Sequence, residues 1–422
     1  MRFRLLACLS LLAAAPAAAE TVTVHAGRLI ADASKPALGP STITVTDGRI
    51  TAVAAGLNPP PAGGRLVDLS DKTVLPGLID MHVHLSGDPG GDFRDEAVDP
   101  NEWATLLGAK NARITALAGF TTVRDLGSPT LVGFALRRAT AQDVIPGPRI
   151  IASGPAISII GGHGDVSGFR PEVIKALAVD NTCTGPEQCA ARVREFSRAG
   201  ADIIKITATG GVLSQQARGL GQHFTDAEMK AIVDTAHGLG LKVAAHAHSA
   251  RGIEAAARAG VDSIEHGTFA DARAIAAMKA SGSSLVPTLM AFTGIRERLG
   301  KNIYTPVVEA KIRETLSEVG KAARAARAAG VPVVFGTDAA VFEHGRNAQE
   351  LALLVELAGM SPAEAIASAT TGAARLLDLE REVGRIAPGY SADLIAVDGD
   401  PLRDVRALEH VDYVMVRGKA IQ

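Results

Sequence analysis

The sequence lacks any apolar run after its N-terminus that reaches the ~20 residues needed for a membrane-spanning helix. It also lacks a large excess of charge, since the formal net charge of the 422 residues is −2 at pH 7. Proteins that bind nucleic acid carry basic stripes, and none is present here. We therefore expect no membrane span and no nucleic-acid partner. Small molecules are the expected partners, and we expect the chain to form a homo-oligomer.

The first 19 residues have the order of segments that is typical of a secretory signal peptide. Arg2 and Arg4 supply positive charge, an apolar stretch follows from Leu5, and small residues end the segment at Ala19. A buried N-terminal helix is the alternative interpretation. Cleavage after Ala19 predicts a periplasmic or secreted location.

Cysteine is scarce, with three residues in the chain, and Cys8 lies within the predicted signal peptide. Processing would leave Cys183 and Cys189, which are close together in the sequence "NTCTGPEQCAARV". An even number of cysteines in an exported protein is compatible with a disulfide. We predict a Cys183–Cys189 bridge, and two free thiols in a loop are the alternative.

Both ends of the chain read as short β-strands, in which apolar and polar side chains alternate between Gly and Asp turns. Each end is too short to form a core alone, so we expect the two to pair. The predicted division of the chain is a signal peptide at 1–19, a composite β-sandwich domain from 20–76 and 380–422, and a barrel at 77–379.

The middle of the chain alternates apolar runs with amphipathic stretches, as in a fold built from βα units. One such stretch, Thr225 to Gly240, has a capping box formed by Thr225 and Glu228. Eight βα units predict an α/β fold with a (β/α)8 TIM-like barrel. A doubly wound sheet is the alternative, but no Gly-rich phosphate motif opens the first helix. The eight predicted strands are Gly77–His84, Phe120–Asp125, Arg149–Gly154, Ile203–Thr207, Lys242–His246, Asp262–His266, Ser284–Thr288 and Pro332–Thr337.

Six polar residues stand near the C-terminal ends of these strands, where the active sites of such barrels assemble. Because side chains alternate along a strand, the two histidines of the first strand face the same way. Any one of the six has an ordinary explanation, such as a structural histidine or a helix N-cap. Together they predict a site for divalent metals, since imidazole and carboxylate are zinc ligands. The six are His82, His84, Lys205, His246, His266 and Asp338.

Lys205 is unusual in this set because an ammonium repels cations. Burial lowers the pKa of a lysine and frees its amine. The free amine can take up carbon dioxide, and the two oxygens of the resulting carbamate can bridge two metal ions. We therefore predict a carboxylated Lys205 between two divalent ions, with zinc as the expected metal.

The motifs at these positions resemble the amidohydrolase superfamily, and more narrowly its secreted, imidazolonepropionase-like dipeptidase and carboxypeptidase branch. They are "VLPGLIDMHVHL", "ADIIKITATGG", "VAAHAHS", "SIEHGT", "FGTDA" and "IAPGYSADLIAVDGDPL". The resemblance runs from about Val22 to Gln422 and implies that the six residues are the metal ligands. Imidazolonepropionases resemble a one-metal type without the strand-four lysine. Lys205 therefore disfavours an imidazolone substrate and favours peptide-like amides.

This resemblance implies cleavage of an amide next to a free carboxylate, as in Xaa-Pro dipeptides, dipeptides with C-terminal Arg or Lys, or ochratoxin-type N-acyl amino acids. We expect a metal-bridging hydroxide to attack, with Asp338 as proton shuttle. A covalent intermediate is not needed, and no G-x-S-x-G motif is present to form one. The alternatives are a lactonase or phosphotriesterase on the same site, and a non-catalytic binding protein, which would require missing ligands.

Four further residues are candidate substrate contacts. His163 follows the third strand among glycines, His248 follows the fifth-strand ligand, and His223 follows the fourth strand. Arg124, in the second strand, either forms an ion pair at the barrel mouth or binds a substrate carboxylate. The remaining histidines are predicted to be surface residues: His25, His237, His344 and His410.

Overall fold

The structure, a computed structural model, describes residues 21–90, 93–129, 131–216 and 219–421. The predicted signal peptide lies outside these ranges. Among the helices of the described residues, none has the length and apolar character that crossing a membrane requires.

Strands from both ends of the chain form one seven-stranded sheet, in the order β14-β13-β12-β4-β1-β2-β3. The central strand β4 is parallel to β1 and antiparallel to β12. This sheet has an apolar cluster of its own, which includes Val24, Ile43 and Leu394. The pairing expected between the two chain ends is therefore present. The strands are β1 Thr21–Leu29, β2 Ser41–Thr46, β3 Arg49–Ala55, β4 Arg65–Pro76, β12 Leu394–Val397, β13 Val411–Val416 and β14 Lys419–Ala420.

Seven parallel strands form the barrel, paired as β5-β6-β7 and as β8-β9-β10-β11. The two groups are joined through single backbone bridges, one of them between Ile157 and Ile206. These contacts confirm the predicted α/β class with a TIM-like barrel. The strands are β5 Leu78–Val83, β6 Phe120–Asp125, β7 Arg149–Ala152, β8 Ile203–Thr207, β9 Lys242–Ala247, β10 Ser263–His266 and β11 Ser284–Val286.

The eighth predicted strand, Pro332–Thr337, is not a regular strand in the structure. Val333 bridges to Leu285 on one side, and the backbone N–H of Met81 donates to the carbonyl of Phe335 on the other, at 3.2 Å. The segment therefore closes the barrel without a continuous ladder. One physical reason is that the N–H of Thr337 also bonds to a side chain, the Asp80 carboxylate, at 3.1 Å.

Helices follow the strands and cover the barrel. The predicted capping box is present at the start of α5, where the Thr225 hydroxyl accepts from the N–H of Glu228 at 3.2 Å. The helices are α1 Asn101–Leu117, α2 Val132–Ala141, α3 Pro171–Leu177, α4 Pro186–Ala199, α5 Asp226–Gly238, α6 Ala250–Ala259, α7 Ala272–Ser281, α8 Leu289–Arg298, α9 Pro306–Leu316, α10 Lys321–Ala328, α11 Gln349–Glu356, α12 Pro362–Ala367 and α13 Ala373–Leu376.

Cys183 and Cys189 are joined as a disulfide, with their Cα atoms 5.0 Å apart. Both are buried. The N–H of Cys183 donates to the carbonyl of Ser158 at 3.0 Å, and Cys189 lies in the first turns of α4. The bridge therefore fastens the segment that follows β7 to the start of α4.

Candidate metal centre

A cavity of about 290 Å³ opens at the C-terminal ends of the barrel strands. All six residues predicted as metal ligands line it, although they are spread over more than 250 positions of sequence. Position at the strand ends predicts this convergence, and alternation along a strand predicts that His82 and His84 share it. The six come from β5, β8, β9, β10 and the segment after residue 337: His82, His84, Lys205, His246, His266 and Asp338.

One group of donors consists of His82, His84 and Asp338, whose ligand atoms all lie within 4.8 Å of one another. Oδ1 of Asp338 is 3.4 Å from Nε2 of His82 and 3.2 Å from Nε2 of His84. Nζ of Lys205 is also close, at 3.2 Å from Nε2 of His82. Lone pairs of two imidazoles and a carboxylate thus converge on one point.

A second group consists of His246, His248 and His266, again with ligand atoms within 4.8 Å of one another. The ring of His246 lies 4.6 Å from each of the other two rings. The sequence predicts that His248 lies behind the ligands or faces the substrate, and makes it the runner-up to His246 as the ligand from the fifth strand. The structure places it in the cavity wall beside His266, so it is a candidate for either role.

The backbone is strained at this site. His266, Thr288 and Asp338 have φ values of 69°, 49° and 62°, a left-handed conformation that costs non-glycine residues about 1–3 kcal/mol each. In an unbroken strand His266 would face the opposite side from Glu265 and lie outside the barrel. The left-handed turn at its position breaks this alternation and brings the imidazole to the mouth.

Four of the imidazoles are held through Nδ1, which leaves Nε2 free to face the cavity. His82 bonds to Glu265 at 2.9 Å, and His84 bonds to the carbonyl of Gly127 at 2.9 Å. Both partners are acceptors, so Nδ1 carries a proton in both rings, and in neutral His82 Nε2 carries the lone pair. Nε2 of His84 also faces an acceptor, Oδ1 of Asp338, at 3.2 Å. Two threonine hydroxyls hold the other two rings, with Thr288 on His266 at 2.7 Å and Thr268 on His248 at 2.8 Å.

Arg124 does not line the cavity, and its assignment as a substrate contact is corrected by the structure. Its side chain is 1% exposed and donates to Glu265 at 2.8 Å, to Ser263 at 3.0 Å and to the carbonyl of Met81 at 2.5 Å. Arg124 forms the ion pair that was the alternative prediction, but this pair lies inside the barrel, below its mouth. Glu265 is thus held by Arg124 on one oxygen and by His82 on the other.

The electrostatics of the cavity favour the protonation states that bind metal. Burial would raise the pKa of Glu265, but Arg124 and His82 lower it to about 2, so this carboxylate stays ionised. Burial, with a further contribution from the charge of Lys205, lowers the pKa of His82 to about 4. Burial also lowers the pKa of Lys205 to about 8. Near neutral pH His82 is therefore neutral, which is the metal-binding form, and a fraction of Lys205 is the free amine. His84 differs, because Asp338 outweighs burial and raises its pKa.

His163 lines the cavity and contacts His246, with ring centroids 4.3 Å apart and the ring planes tilted by 41°. Its Nδ1 is buried and has no hydrogen-bond partner within the described part of the chain. His223 stands behind it, since Nδ1 of His223 accepts from the backbone N–H of His163 at 3.5 Å. His344, predicted to be a surface residue, is instead buried and bonds to Thr115 at 3.2 Å.

Sequence reasoning missed the orienting role of Glu265 and the apolar side of the cavity. Glu265 could have been noticed, because a buried acid within an apolar strand requires a partner. The apolar side comes from helices and loops, where no periodicity marks a residue as facing a substrate. Its residues are Leu126, Val212, Leu213, Phe292, Ile295 and Val341.

This donor set fits divalent metals. Two clusters offer five imidazoles and one carboxylate, which are ligands that zinc-like ions select. Carboxylate and carbonyl partners on Nδ1 are the usual way in which a metal-binding histidine is oriented.

We predict that Glu265→Gln weakens metal binding by roughly 10–100-fold. The amide oxygen would face Arg124, so the amide nitrogen would donate to Nδ1 of His82 and drive the ring proton to Nε2, where the metal binds. Titration calorimetry against a competing chelator measures this change. Glu254→Gln is the matched control, because Glu254 is also buried but pairs with surface arginines. Unchanged affinity in Glu265→Gln would contradict the orienting role.

Comparisons with known proteins agree with this site. The amidohydrolase family profile matches residues 73–421. Ochratoxinase of Aspergillus niger is 31% identical over 95% of this chain and 86% of its own length. The crystal structure of a Xaa-Pro dipeptidase with bound methionine in the active site has a TM-score of 0.87 at 37% identity, covering 95% of this chain and 99% of that one.

A prolidase crystallised with N-methylphosphonate-L-proline superposes with a TM-score of 0.85 at 30% identity, covering 95% of this chain and 99% of the other. The match of the family profile spans most of the sequence and contains every strand-end residue described above. The chain belongs to the amidohydrolase family.

Proposed function

We propose that this protein is a binuclear metal-dependent hydrolase that cleaves an amide next to a free carboxylate, as a dipeptidase or an N-acyl amino acid hydrolase. The observation that carries the proposal is the division of one cavity into two donor clusters on one side and an apolar wall on the other. Similarity to a Xaa-Pro dipeptidase, a prolidase and ochratoxinase supports the same class of substrate. The predicted signal peptide supports export to the periplasm or beyond.

The two donor clusters would hold two divalent ions, with zinc as the expected metal. When bound, such ions lower the pKa of a water molecule toward ~7 and polarise the carbonyl to be cleaved. Lys205 is proposed to join the clusters as a carbamate. Its free amine adds to the carbon of carbon dioxide: one N–C bond forms, one C=O π bond opens with its electron pair moving to oxygen, and a proton leaves the nitrogen to solvent. The buried position of Lys205, 3.2 Å from Nε2 of His82, supports this role.

Asp338 is the proposed proton shuttle. Its carboxylate lies between the imidazoles of His82 and His84, and it lines the cavity where the substrate amide must enter. It would accept the proton of the attacking water and deliver it to the nitrogen of the leaving amine. His248 lines the same cavity and is the next candidate base.

The cavity wall indicates an apolar substrate side chain. Among the described residues that line the cavity, Asp338 is the one carboxylate, and it belongs to the donor clusters. A C-terminal Arg or Lys of a substrate would therefore be buried without an acidic partner, which is costly. Proline, leucine or phenylalanine next to the scissile amide fits the wall better. His163, with its unpartnered Nδ1, is the proposed contact to polar groups of the substrate.

A substrate panel tests the function. We expect Xaa-Pro dipeptides or N-acyl derivatives of apolar amino acids to exceed dipeptides with C-terminal Arg or Lys by at least about 10-fold in kcat/KM, because an apolar pocket discriminates by desolvation. Initial rates with the metal-reconstituted enzyme measure this ratio. C-terminally amidated analogues are the control for the free carboxylate. Hydrolysis confined to lactones or phosphotriesters would contradict the proposal.

Metal content tests the binuclear site. Elemental analysis after reconstitution should approach two divalent ions per chain, and Lys205→Ala should lower this number because the proposed bridging carbamate is lost. Lys230→Ala is the control, since Lys230 is exposed on α5 and pairs with Asp234. One ion per chain, unchanged by Lys205→Ala, would show that the two-metal assignment is wrong.

The roles of Asp338 and His163 are separable by kinetics. Asp338→Asn keeps the shape of the side chain, so fold and much of the metal should remain, while kcat should fall by roughly 10²–10⁴-fold. His163→Ala should mainly raise KM, because a substrate contact contributes to binding more than to the chemical step. Near-normal kcat for Asp338→Asn with two metals bound would make His248 the base.

A further inference from the structure

Lys311, on α9, is buried at 6% exposure and has no carboxylate partner among the described residues. Its Nζ donates to the carbonyl of Gly211 at 2.8 Å and to the carbonyl of Ser214 at 2.6 Å. The hydroxyl of Ser214 and the carbonyl of Gln216 lie farther away, at 3.3 Å and 3.4 Å. An ammonium group is thus surrounded by oxygens of one short segment, residues 211–216.

Segment 211–216 forms part of the apolar wall, because Val212 and Leu213 line the cavity. The same segment supports His163, since a Cβ at Gly211 would lie only 2.2 Å from an atom of the His163 ring. The amide nitrogen of Gln216 donates to the carbonyl of Gly162 at 2.7 Å, which ties the segment to the loop of His163. Two parts of the substrate cavity therefore depend on the position of this segment.

The side chains next to Lys311 on α9 are apolar, although its Nζ meets oxygens of segment 211–216. Val308 and Ile312, its neighbours on α9, belong to the same cluster as Val212 and Ile295 of the cavity wall. A buried ammonium is stable only when hydrogen bonds to the protein replace the hydrogen bonds that it would make to water. A lysine ammonium has three N–H donors, so it can donate hydrogen bonds to several carbonyl oxygens at once.

We propose that Lys311 is a positioning residue. Its ammonium group fixes the backbone of 211–216 and thereby determines the position of the apolar wall and of the His163 ring. Lys311 is absent from the residues that line the cavity and from the donor clusters. After burial, the charge of Lys311 is one of the causes that lower the pKa of His163 and His248, so it reaches the site through space without contacting it. We expect its main effect on substrate affinity, with a smaller effect on metal binding and on the chemical step. The kinetic part of this inference rests on the proposed function, whereas the structural part does not.

Two variants separate the charge of Lys311 from its volume. Lys311→Met fills the space of the stem without donors, and Lys311→Ala empties it. Both should speed amide hydrogen exchange in peptides that cover 209–216 by at least about 10-fold. With an apolar substrate KM should rise about 10-fold or more, with kcat within about threefold and metal content unchanged. Lys321→Met, on the exposed face of α10, is the control and should resemble the wild type.

Chemical rescue gives the sharpest test. n-Propylammonium has the length and charge of the part removed in Lys311→Ala, so adding it should restore slow exchange and low KM. Lys311→Met should not respond, because its side chain occupies the space. Wild-type exchange and KM in both variants, or equal rescue of both, would overturn the proposal. Loss of kcat in parallel with metal would also overturn it.

Gln216→Ala is the second variant, for use if the Lys311 variants fail to fold. It removes the tie to Gly162 without touching the buried charge. Exchange should then rise severalfold in peptides covering 158–164, and KM should rise as well. Unchanged exchange and KM would count against the positioning role of the segment. Amide hydrogen exchange is measured without substrate. Its result therefore holds even if the protein does not hydrolyse the proposed substrates.

Discussion

The ion pair between Arg124 and Glu265 is the interaction on which the candidate metal centre depends. It lies within the barrel and joins β6 to β10, while further bonds from Arg124 reach the backbone of β5 at Met81. A carboxylate buried without this guanidinium would take up a proton and lose its hold on His82. Glu265 on β10 therefore orients the imidazole of His82. Arg124 on β6 keeps this carboxylate ionised.

The cavity combines two kinds of support. The donor side rests mainly on barrel strands, whose side chains are held by neighbours on both sides, and this gives a fixed geometry for metal ligands. The apolar side rests mainly on α8 and on the loop after β8. Such loops are the parts of a barrel that can change between relatives without disturbing the strands. Chemistry and selectivity are thus carried by different parts of one fold.

Strand alternation and position at strand ends were enough to predict the barrel and the convergence of residues such as His82 and Lys205. They were not enough for Arg124, because its partner Glu265 is distant in sequence and an arginine at a strand end fits either an ion pair or a substrate contact. Pro332–Thr337 was predicted as a strand because its composition is apolar, but the Asp80 carboxylate takes one of its N–H groups. Lys311 could not have been found, since its partners are backbone carbonyls that carry no sequence signal.

Strand β4 has neighbours from opposite ends of the chain, β1 on one side and β12 on the other, and β5 follows it after Gly77. During synthesis, residues 65–76 must therefore wait for more than 300 further residues before their second partner leaves the ribosome. Until then, the strand that leads into the first candidate metal ligands has an open edge, and open edges invite pairing with other chains. Completion of the sheet is consequently a late event, and a chain interrupted before residue 394 would be prone to aggregate.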